Sequence, residues 1–171
     1  FNENSYYVKL NVKRENTDNE IEFCYSKVDG KKVKINNIPV KKSVELMGKL
    51  NTVMFSPEDL SIIKGSPSER RRFIDIAISQ IKPSYFYNLQ RYAKILAQRN
   101  HLLKDIVKNS KLKSTLEIWN ESLADTGAKI INERKLFIEN LNTIVKNKHR
   151  ELTADNENLD IQYQPSLTME D

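Results

Sequence analysis

One stretch of the sequence, residues 53–75, constrains the fold more than any other part of the chain. It reads VMFSPEDLSIIKGSPSERRRFID, and three kinds of local structure meet in it. The apolar run 53–55 suits a short buried strand. Ser56 supplies a helix N-cap, Pro57 occupies the first helical position, and acidic residues follow in the first turn. The sequence therefore predicts a strand that leads directly into a short helix.

The same stretch contains a second helix start. Gly65 is expected to end the first helix in a left-handed conformation. Ser66, Pro67 and Glu69 then repeat the pattern of N-cap, proline and capping box, which predicts a longer second helix. In that helix we expect Asp75 to pair with Arg71 at i,i+4 spacing. Residues 53–75, held by these caps, are called the joint below.

Size, charge and cysteine content bound the class of protein. The chain has 171 residues, 39% of them hydrophobic, and a formal net charge of +5, which permits contact with nucleic acid without requiring it. No apolar run approaches the roughly 20 residues of a membrane helix, and the start lacks signal-peptide features. One cysteine, Cys24, and two separated histidines predict neither a disulfide nor a metal site. We expect a soluble, cytoplasmic chain with no membrane partner.

The first third of the chain has the pattern of strands. Alternating apolar residues predict strands over Tyr6 to Val12, Ile21 to Tyr25, Lys32 to Ile35 and Ile38 to Val40. A polar turn at Glu15 to Asn19 separates the first two, and Asp29-Gly30 is a hairpin signal before the third. The pattern predicts an antiparallel β-meander, followed by a short helix capped by Ser43.

The middle of the chain, from Ser56 to about Leu152, is predicted to be helical. The helix that starts at Pro67 is predicted to place Phe73, Ile74, Ala77, Ile78 and Ile81 along one side. Two later stretches have heptad-like spacing. Their seam positions are Tyr85, Leu89, Tyr92, Leu96, Arg99, Leu103 and Ile106, and then Trp119, Leu123, Thr126, Ile130, Glu133, Phe137 and Leu141 over about thirty residues. A polar turn at 108–114 joins them, which predicts an antiparallel helical hairpin.

Two further features complete the pattern. Gly127 inside the second long helix predicts a close approach or a slight bend. After a polar stretch, Leu159, Ile161 and Tyr163 alternate like a strand that returns to the sheet. A helical hairpin that leaves a sheet and returns to it is an insertion.

Candidate chemistry is sparse. The glycines at 30, 48, 65 and 127 are too far apart for a phosphate-cradling G-x-x-x-x-G-K-[ST] loop. Glu58 and Asp59 are paired carboxylates whose simplest role is to favour the positive end of a helix. Arg70, Arg71 and Arg72 are consecutive, so they fan around the helix and at least one should face protein. The others are open to contact with a protein surface, with DNA phosphate or with solvent.

The order of FSPEDL, GSP and ERRRFID resembles the hallmark segment of the RecF family, whose members have an ABC-type ATPase head. It is more loosely similar to the segment where the coiled coil leaves the head in SMC and Rad50 proteins. Other pieces agree in order, namely KKVKINNIPV, LNTVMFSPEDL, RYAKILAQRNHLLK, WNESLADTGAKII and IQYQPSL. The resemblance covers nearly the whole chain but only the middle of a full RecF sequence, so we infer a fragment of a larger protein.

The resemblance implies an α+β fold in three parts. Residues 1–55 would be part of the β subdomain of the ATPase head with a short helix. Residues 56–152 would form an antiparallel, coiled-coil-like helical arm similar to lobe II, and residues 153–171 would return to the head sheet. The joint would then fix the angle at which the arm leaves the head.

The resemblance also implies a function in recombinational DNA repair, replication and the SOS response. It implies an ATP-dependent RecF dimer that binds DNA at single-strand/double-strand junctions and helps RecO and RecR to load RecA. ATP and Mg would be cofactors of the full-length protein, a weak ATPase. Its Walker A loop would precede residue 1, and its signature and Walker B strand would follow residue 171. The chain alone is therefore expected to be inactive.

The resemblance suggests two weak nucleotide-site candidates, Ser56 and Glu58. The aligned segment of SMC and Rad50 proteins carries a glutamine that senses the γ-phosphate and its metal, and this sequence has no glutamine there. For Arg70, Arg71 and Arg72 it implies contact with DNA or with the ATPase head. A different reading of the whole chain is a free-standing coiled-coil module that binds a protein partner and no nucleotide.

Overall fold

The computed structural model describes residues 3–13 and 17–167 and has an α+β architecture. Its sheet is antiparallel with the strand order β1-β2-β3-β4, which confirms the meander. The strands are β1 Ser5–Val12, β2 Asn19–Ser26, β3 Gly30–Ile35 and β4 Ile38–Pro39. The predicted turn at Glu15 to Asn19 lies partly outside the described residues, at 15 and 16.

Local turn chemistry sets the register of the sheet. Asn36 and Asn37 both have positive φ, as a tight hairpin of two residues requires. The Asn36 side chain accepts a hydrogen bond from the Glu20 backbone N–H at 2.7 Å, which ties the turn to β2. Tyr6 lies opposite Tyr25, and their rings stack with centroids 5.3 Å apart. The face of the sheet that carries Tyr6 and Tyr25 stays partly exposed, because no helix in the described part of the chain packs against the sheet.

Among the described residues there are four α-helices and three short 3-10 helices. The α-helices are α1 Ser61–Lys64, α2 Pro67–Ile81, α3 Pro83–Ile106 and α4 Leu116–Thr153, and the 3-10 helices are Ser43–Leu46, Pro57–Leu60 and Ser110–Thr115. Helices α3 and α4 form the predicted hairpin, which we call the arm, and α2 packs against both of them. The 38 residues of α4 span about 57 Å at 1.5 Å per residue, which is longer than expected.

The core of the helical part lies where α2, α3 and α4 meet. Ile78, Tyr85 and Ile130 are buried there. Partly buried residues that pack around them are Ile74, Leu89, Tyr92 and Phe137. A Cβ at Gly127 would lie 3.3 Å from the Tyr92 ring, which confirms the predicted close approach of the two long helices.

Parts of the apolar pattern were assigned wrongly. Phe73 and Ile81 are exposed, because α2 buries only a narrow stripe that includes Ile78. In α3, Ile95 is buried and Leu103 is exposed, so the seam has shifted by one residue from the predicted Leu96 and Leu103. A helix with 3.6 residues per turn drifts by about 20° per heptad from a strict 3.5-residue repeat.

Two predicted strands do not form. Residues 53–55 form no strand and are largely exposed, and residues 159–163 have no strand structure either. A β-strand is stable only when a neighbouring strand satisfies its backbone, and the described residues supply none at either place. The short helix near Ser43 is also different, since it is a 3-10 helix in which Ser43 is the first residue and Lys42 the N-cap. The Lys42 backbone N–H donates to Glu45 at 2.9 Å, so a carboxylate from inside the turn holds this start.

Candidate functional site: the joint and the base of the arm

The first half of the joint is held by the predicted cap. The Asp59 carboxylate accepts hydrogen bonds from the Ser56 backbone N–H at 2.7 Å and from the Ser56 hydroxyl at 3.2 Å. Pro57 occupies the first helical position, where its missing N–H costs nothing. A 3-10 helix follows and continues into α1. The helix start at Ser56 is therefore confirmed.

The nucleotide-site candidates Ser56 and Glu58 lie in this turn. Ser56 is half-buried and engaged in the cap, whereas Glu58 is exposed. The pKa of Glu58 lies below its ordinary value because its own backbone N–H, and then the Ser56 hydroxyl, hydrogen-bond the charged form. Over residues 3–13 and 17–167, no three His, Cys, Asp or Glu side chains come together as a metal site. What this turn offers chemically is one exposed, ionised carboxylate.

Gly65 has a different role from the predicted one. Its φ is −89°, so it is extended and not left-handed, and that prediction is wrong. The glycine is needed for space, because a Cβ there would overlap the Glu69 carboxylate and lie 2.5 Å from the Ser61 carbonyl oxygen. Glu69 folds back over Gly65 to accept a hydrogen bond from the Ser66 backbone N–H at 2.6 Å. This contact, with Pro67 at the first helical position, confirms the second cap.

The three consecutive arginines have separate environments. Arg70 donates to the carbonyl oxygens of Gly65 at 2.9 Å and Ile62 at 3.3 Å, so it ties the start of α2 back to α1. This confirms that at least one of them faces protein. Arg71 and Arg72 are exposed and line a cavity of about 360 Å³ between α2 and α3, whose apolar walls include Ile76 and Phe86. Of the three arginines, Arg71 and Arg72 form no hydrogen bond or ion pair among the described residues, so their guanidinium groups are available to an external group.

Asp75 pairs with a residue far away in the sequence. The predicted pair with Arg71 does not form, so that prediction is wrong. The Asp75 carboxylate accepts hydrogen bonds from Arg134 Nε at 2.9 Å, from Arg134 Nη2 at 2.8 Å and from the Tyr85 hydroxyl at 2.5 Å. The Asp75 and Arg134 side chains are only 21% and 15% exposed. A single carboxylate thus joins α2 to α3 and α4. We call Asp75, Tyr85 and Arg134 the base cluster.

The base cluster changes the acid–base properties of its members. Burial, and then the hydrogen bond to Asp75, raise the pKa of Tyr85. Burial opposes the charged form of Arg134, but hydrogen bonds to Asp75 outweigh it and raise the pKa of this guanidinium above its ordinary value. At neutral pH the Tyr85 phenol is therefore neutral, and the charged Arg134 guanidinium is held by its hydrogen bonds to Asp75. Such a cluster fixes geometry and has no free base for catalysis.

Sequence reasoning missed Tyr85 and Arg134 as partners, although one signal was present. Asp75 lies on the same side of α2 as Ile78 and Ser79, which are buried. A carboxylate on a buried stripe needs a hydrogen-bonding partner, because desolvation of an unpaired charge is costly. Arg71 lies one turn before Asp75 on the same side of the helix, but it is exposed and forms no described ion pair with Asp75. The buried stripe favours a partner for Asp75 on another helix, without indicating which one.

The segment after α4 is anchored on the arm. The Ile161 backbone N–H donates to Asn142 at 2.8 Å, and Asp160 accepts from the same Asn142 side chain at 2.9 Å and pairs with Lys146 at 2.5 Å. Lys146 lowers the pKa of Asp160, and hydrogen bonds from Asn142 and Gln162 lower it further. This segment and α4 line a groove that contains Arg71 and Arg134. The segment that was predicted to return as a strand instead closes one side of the base of the arm.

Comparison with known proteins supports the resemblance. No protein-family model matches the chain. It is 51% identical over 150 residues to a "DNA replication and repair protein RecF" of Ruminiclostridium cellulolyticum, covering 88% of this chain and 40% of the relative. A protein of the same name from Lachnospira eligens is 45% identical over 173 residues, covering 100% of this chain and 48% of the relative. The chain thus spans less than half the length of these relatives.

Solved structures agree with the fold. Two structures of the recombination mediator protein RecF in the RecFOR pathway, described as RecF-ATPrS and RecF-ATP, match with TM-scores of 0.77 and 0.79. Each is 39% identical and covers 90% of this chain and 42% of the solved chain. No helix of the described residues is long and apolar enough to cross a membrane. Over the part of its relatives that it spans, the chain therefore belongs to the RecF family of DNA replication and repair proteins.

Proposed function

We propose that this chain is the central part of a RecF-like protein that binds DNA at single-strand/double-strand junctions in an ATP-dependent manner. In this proposal the full-length protein acts in the cytoplasm, dimerises with ATP and Mg, and cooperates with RecO and RecR to load RecA. The observation that carries the proposal is the capped joint between sheet and arm, found in a chain that matches RecF structures over 90% of its length.

The joint suits the transmission of motion because capping hydrogen bonds hold both of its helix starts. Asp59 and Glu69 each close a capping box, and Arg70 ties α2 back to the end of α1. The base cluster then links α2 to both long helices. A displacement of the segment before Ser56 would accordingly move the arm as one body. We propose that closure of the nucleotide-bound heads passes along this route.

The candidate contact residues differ in whether their side chains are free to contact DNA, the ATPase head or nucleotide. Arg71 and Arg72 are exposed beside a cavity, which suits contact with DNA phosphate or with the ATPase head. Arg70 supports them by fixing the start of α2. Ser56 and Glu58 would approach nucleotide only indirectly, since Ser56 is engaged in its cap and an exposed carboxylate such as Glu58 would need a metal ion between itself and a phosphate.

The test compares this chain with the full-length protein in two assays. We expect the chain alone to show no thermal shift with ATP and Mg²⁺, whereas the full-length protein shows one. On junction DNA, we expect the chain alone to bind weakly and with a steep salt dependence, and the full-length protein to bind more tightly when ATP is present. The proposal would be refuted by a full-length protein that shows no thermal shift with ATP and Mg²⁺, or that binds junction DNA equally with and without ATP.

A further inference from the structure

The tip of the arm, residues 104–115, has an unusual charge environment. It contains Lys104, Lys108, Lys111 and Lys113, and all four are exposed. Its single carboxylate belongs to Asp105, whose Oδ2 lies 2.9 Å from Nδ1 of His101. None of the four ammonium groups has a described carboxylate within 4 Å, including that of nearby Glu117. The tip therefore presents a net positive charge that the arm does not neutralise.

Six lysines lie elsewhere on the arm and at its base, and of these Lys94 and Lys135 are exposed and in no described ion pair. Four of them lie in ion pairs, namely Lys82 with Glu133, Lys129 with Asp125, Lys146 with Asp160 and Lys148 with Glu151. These pairs lower the positive potential along the shaft of the arm. The contrast locates the strongest unpaired group of cations on the arm at its far end from the base cluster.

The tip is a preformed turn. Asn109 caps the 3-10 helix by accepting a hydrogen bond from the Lys111 backbone N–H at 3.2 Å. The hydroxyls of Ser114 and Thr115 donate to carbonyl oxygens within the same turn at 3.1 and 2.8 Å. Leu112 is half-buried, and the 3-10 helix that contains it contacts both α3 and α4. The backbone that carries the lysines is thus ordered before any partner binds, which lowers the entropic cost of binding.

We propose that the tip of the arm is a DNA-contact surface that binds the phosphodiester backbone without reading its sequence. The ligand is assigned by chemistry, and the assignment rests on the proposed DNA binding of the full-length protein. Lysine is a mobile point charge that suits phosphate, while planar recognition of a carboxylate favours arginine, and the tip has none. It also has no aromatic residue on which a base could stack.

The four lysines follow one another along the end of the arm. Lys104 lies in the last turn of α3, and Lys108 lies in the turn just after the helix ends. Lys111 and Lys113 lie in the following turn and extend the positive surface around the end of the arm. Because α3 and α4 are long, the tip stands well away from the base cluster. It would therefore contact DNA at a distance from any site at the joint.

The test measures DNA binding by the full-length protein with ATP over a salt series. The tip variant is Lys108→Glu with Lys111→Glu, and the control is Lys129→Glu with Lys135→Glu, which makes the same charge change on the shaft. We expect the tip variant to raise the Kd roughly tenfold or more at 0.1 M salt and to flatten the slope of log K against log salt by about two. The control should stay within about threefold of wild type. The milder Lys108→Gln with Lys111→Gln variant should flatten the slope in the same direction.

The outcomes separate the two proposals. Wild-type protein that fails to bind junction DNA would overturn the proposed function and this inference with it. Wild-type binding with equal effects of tip and shaft variants, in both the glutamate and the glutamine forms, would overturn this inference alone. Unchanged DNA binding by the tip variants, together with lost binding of an acidic protein partner, would overturn it as well and assign the tip to that partner.

Discussion

The two ends of the arm use charge in opposite ways. At the base, Asp75 accepts three hydrogen bonds from Arg134 and Tyr85, so the charges of Asp75 and Arg134 are paired within the fold. At the tip, Lys108 and Lys111 are exposed and lie in no ion pair within the described part of the chain. The base has low exposure and fixed geometry, whereas the tip has high exposure and free charge. Charge near a seam between helices thus sets how the arm is held, and charge at the free end is available to a partner.

The largest effect should follow from removal of Arg134, the cation of the base cluster. Arg134→Met leaves Asp75 with Tyr85 as its only partner in the cluster, and a partly buried charge without its counter-ion is costly. We expect a loss of about 2–3 kcal/mol in the free energy of unfolding, measured by urea denaturation of the full-length protein. Lys108→Met at the tip is the matched control and should change it by less than about 0.5 kcal/mol. Equal losses at both ends would contradict the comparison.

The second-largest effect is expected from a change in the joint, which leads into α2 and the base cluster. Gly65→Val places a side chain where the Glu69 carboxylate and the Ser61 carbonyl oxygen now lie, so the second cap must open. We expect a cost of about 1–3 kcal/mol, as for other overpacked sites, with ATP binding retained but ATP-dependent dimerisation of the full-length protein reduced. Analytical ultracentrifugation with ATP measures dimer formation. Lys64→Ala is the control in the same joint, because its side chain is exposed and forms no hydrogen bond or ion pair among the described residues. Wild-type dimerisation by a folded Gly65→Val protein would end the idea that the joint transmits closure.

A smaller effect should appear in the pH dependence of the stability that the base cluster contributes. The pKa of Tyr85 is raised, so its neutral form stabilises the fold fully below the ordinary tyrosine pKa of about 10, and this stability is lost as the pH rises through the folded-state pKa. Tyr85→Phe should cost about 1 kcal/mol at pH 7 through the lost hydrogen bond. The difference between wild type and variant should shrink above pH of about 10. Urea midpoints from neutral to alkaline pH test this, with exposed Tyr87→Phe as control, and a constant difference would count against a buried neutral phenol.

The smallest effect should come from the segment after α4. Asp160 has a lowered pKa, so its contribution to stability is present above the ordinary aspartate pKa of about 3.9 and is lost as the pH falls through its folded-state value. Because the Asp160 and Lys146 side chains are 45% and 43% exposed, solvent screens their ion pair, and Asp160→Asn should lower the stability least of the four changes. Faster hydrogen exchange of the Ile161 amide is the expected sign, with Glu151→Gln as control. No change at Ile161 would mean that Asn142 alone anchors the segment.

Much of the fold was predictable because its signals are short-ranged. The caps at Ser56 and Ser66 and the hairpin at Asn36-Asn37 each involve residues two or three positions apart, so the sequence contains both partners side by side. The helical hairpin followed from heptad spacing, which repeats within a single helix. In each case, local geometry leaves few alternatives, and the structure has what the pattern predicts.

What only the tertiary structure decided depends on residues far apart in the chain. Asp75 and Arg134 are 59 positions apart, and nothing local distinguishes Arg134 from other exposed-looking arginines. The role of Gly65 depends on where the Glu69 carboxylate folds, and the absence of strands at 53–55 and 159–163 depends on which backbone is nearby. The sequence by itself determined the caps, the turns and the long helices, because their energies come from near neighbours. The partners of the buried charge, and the division between structural and available arginines and lysines, required the packed chain, because desolvation and pairing are set by contacts between distant segments.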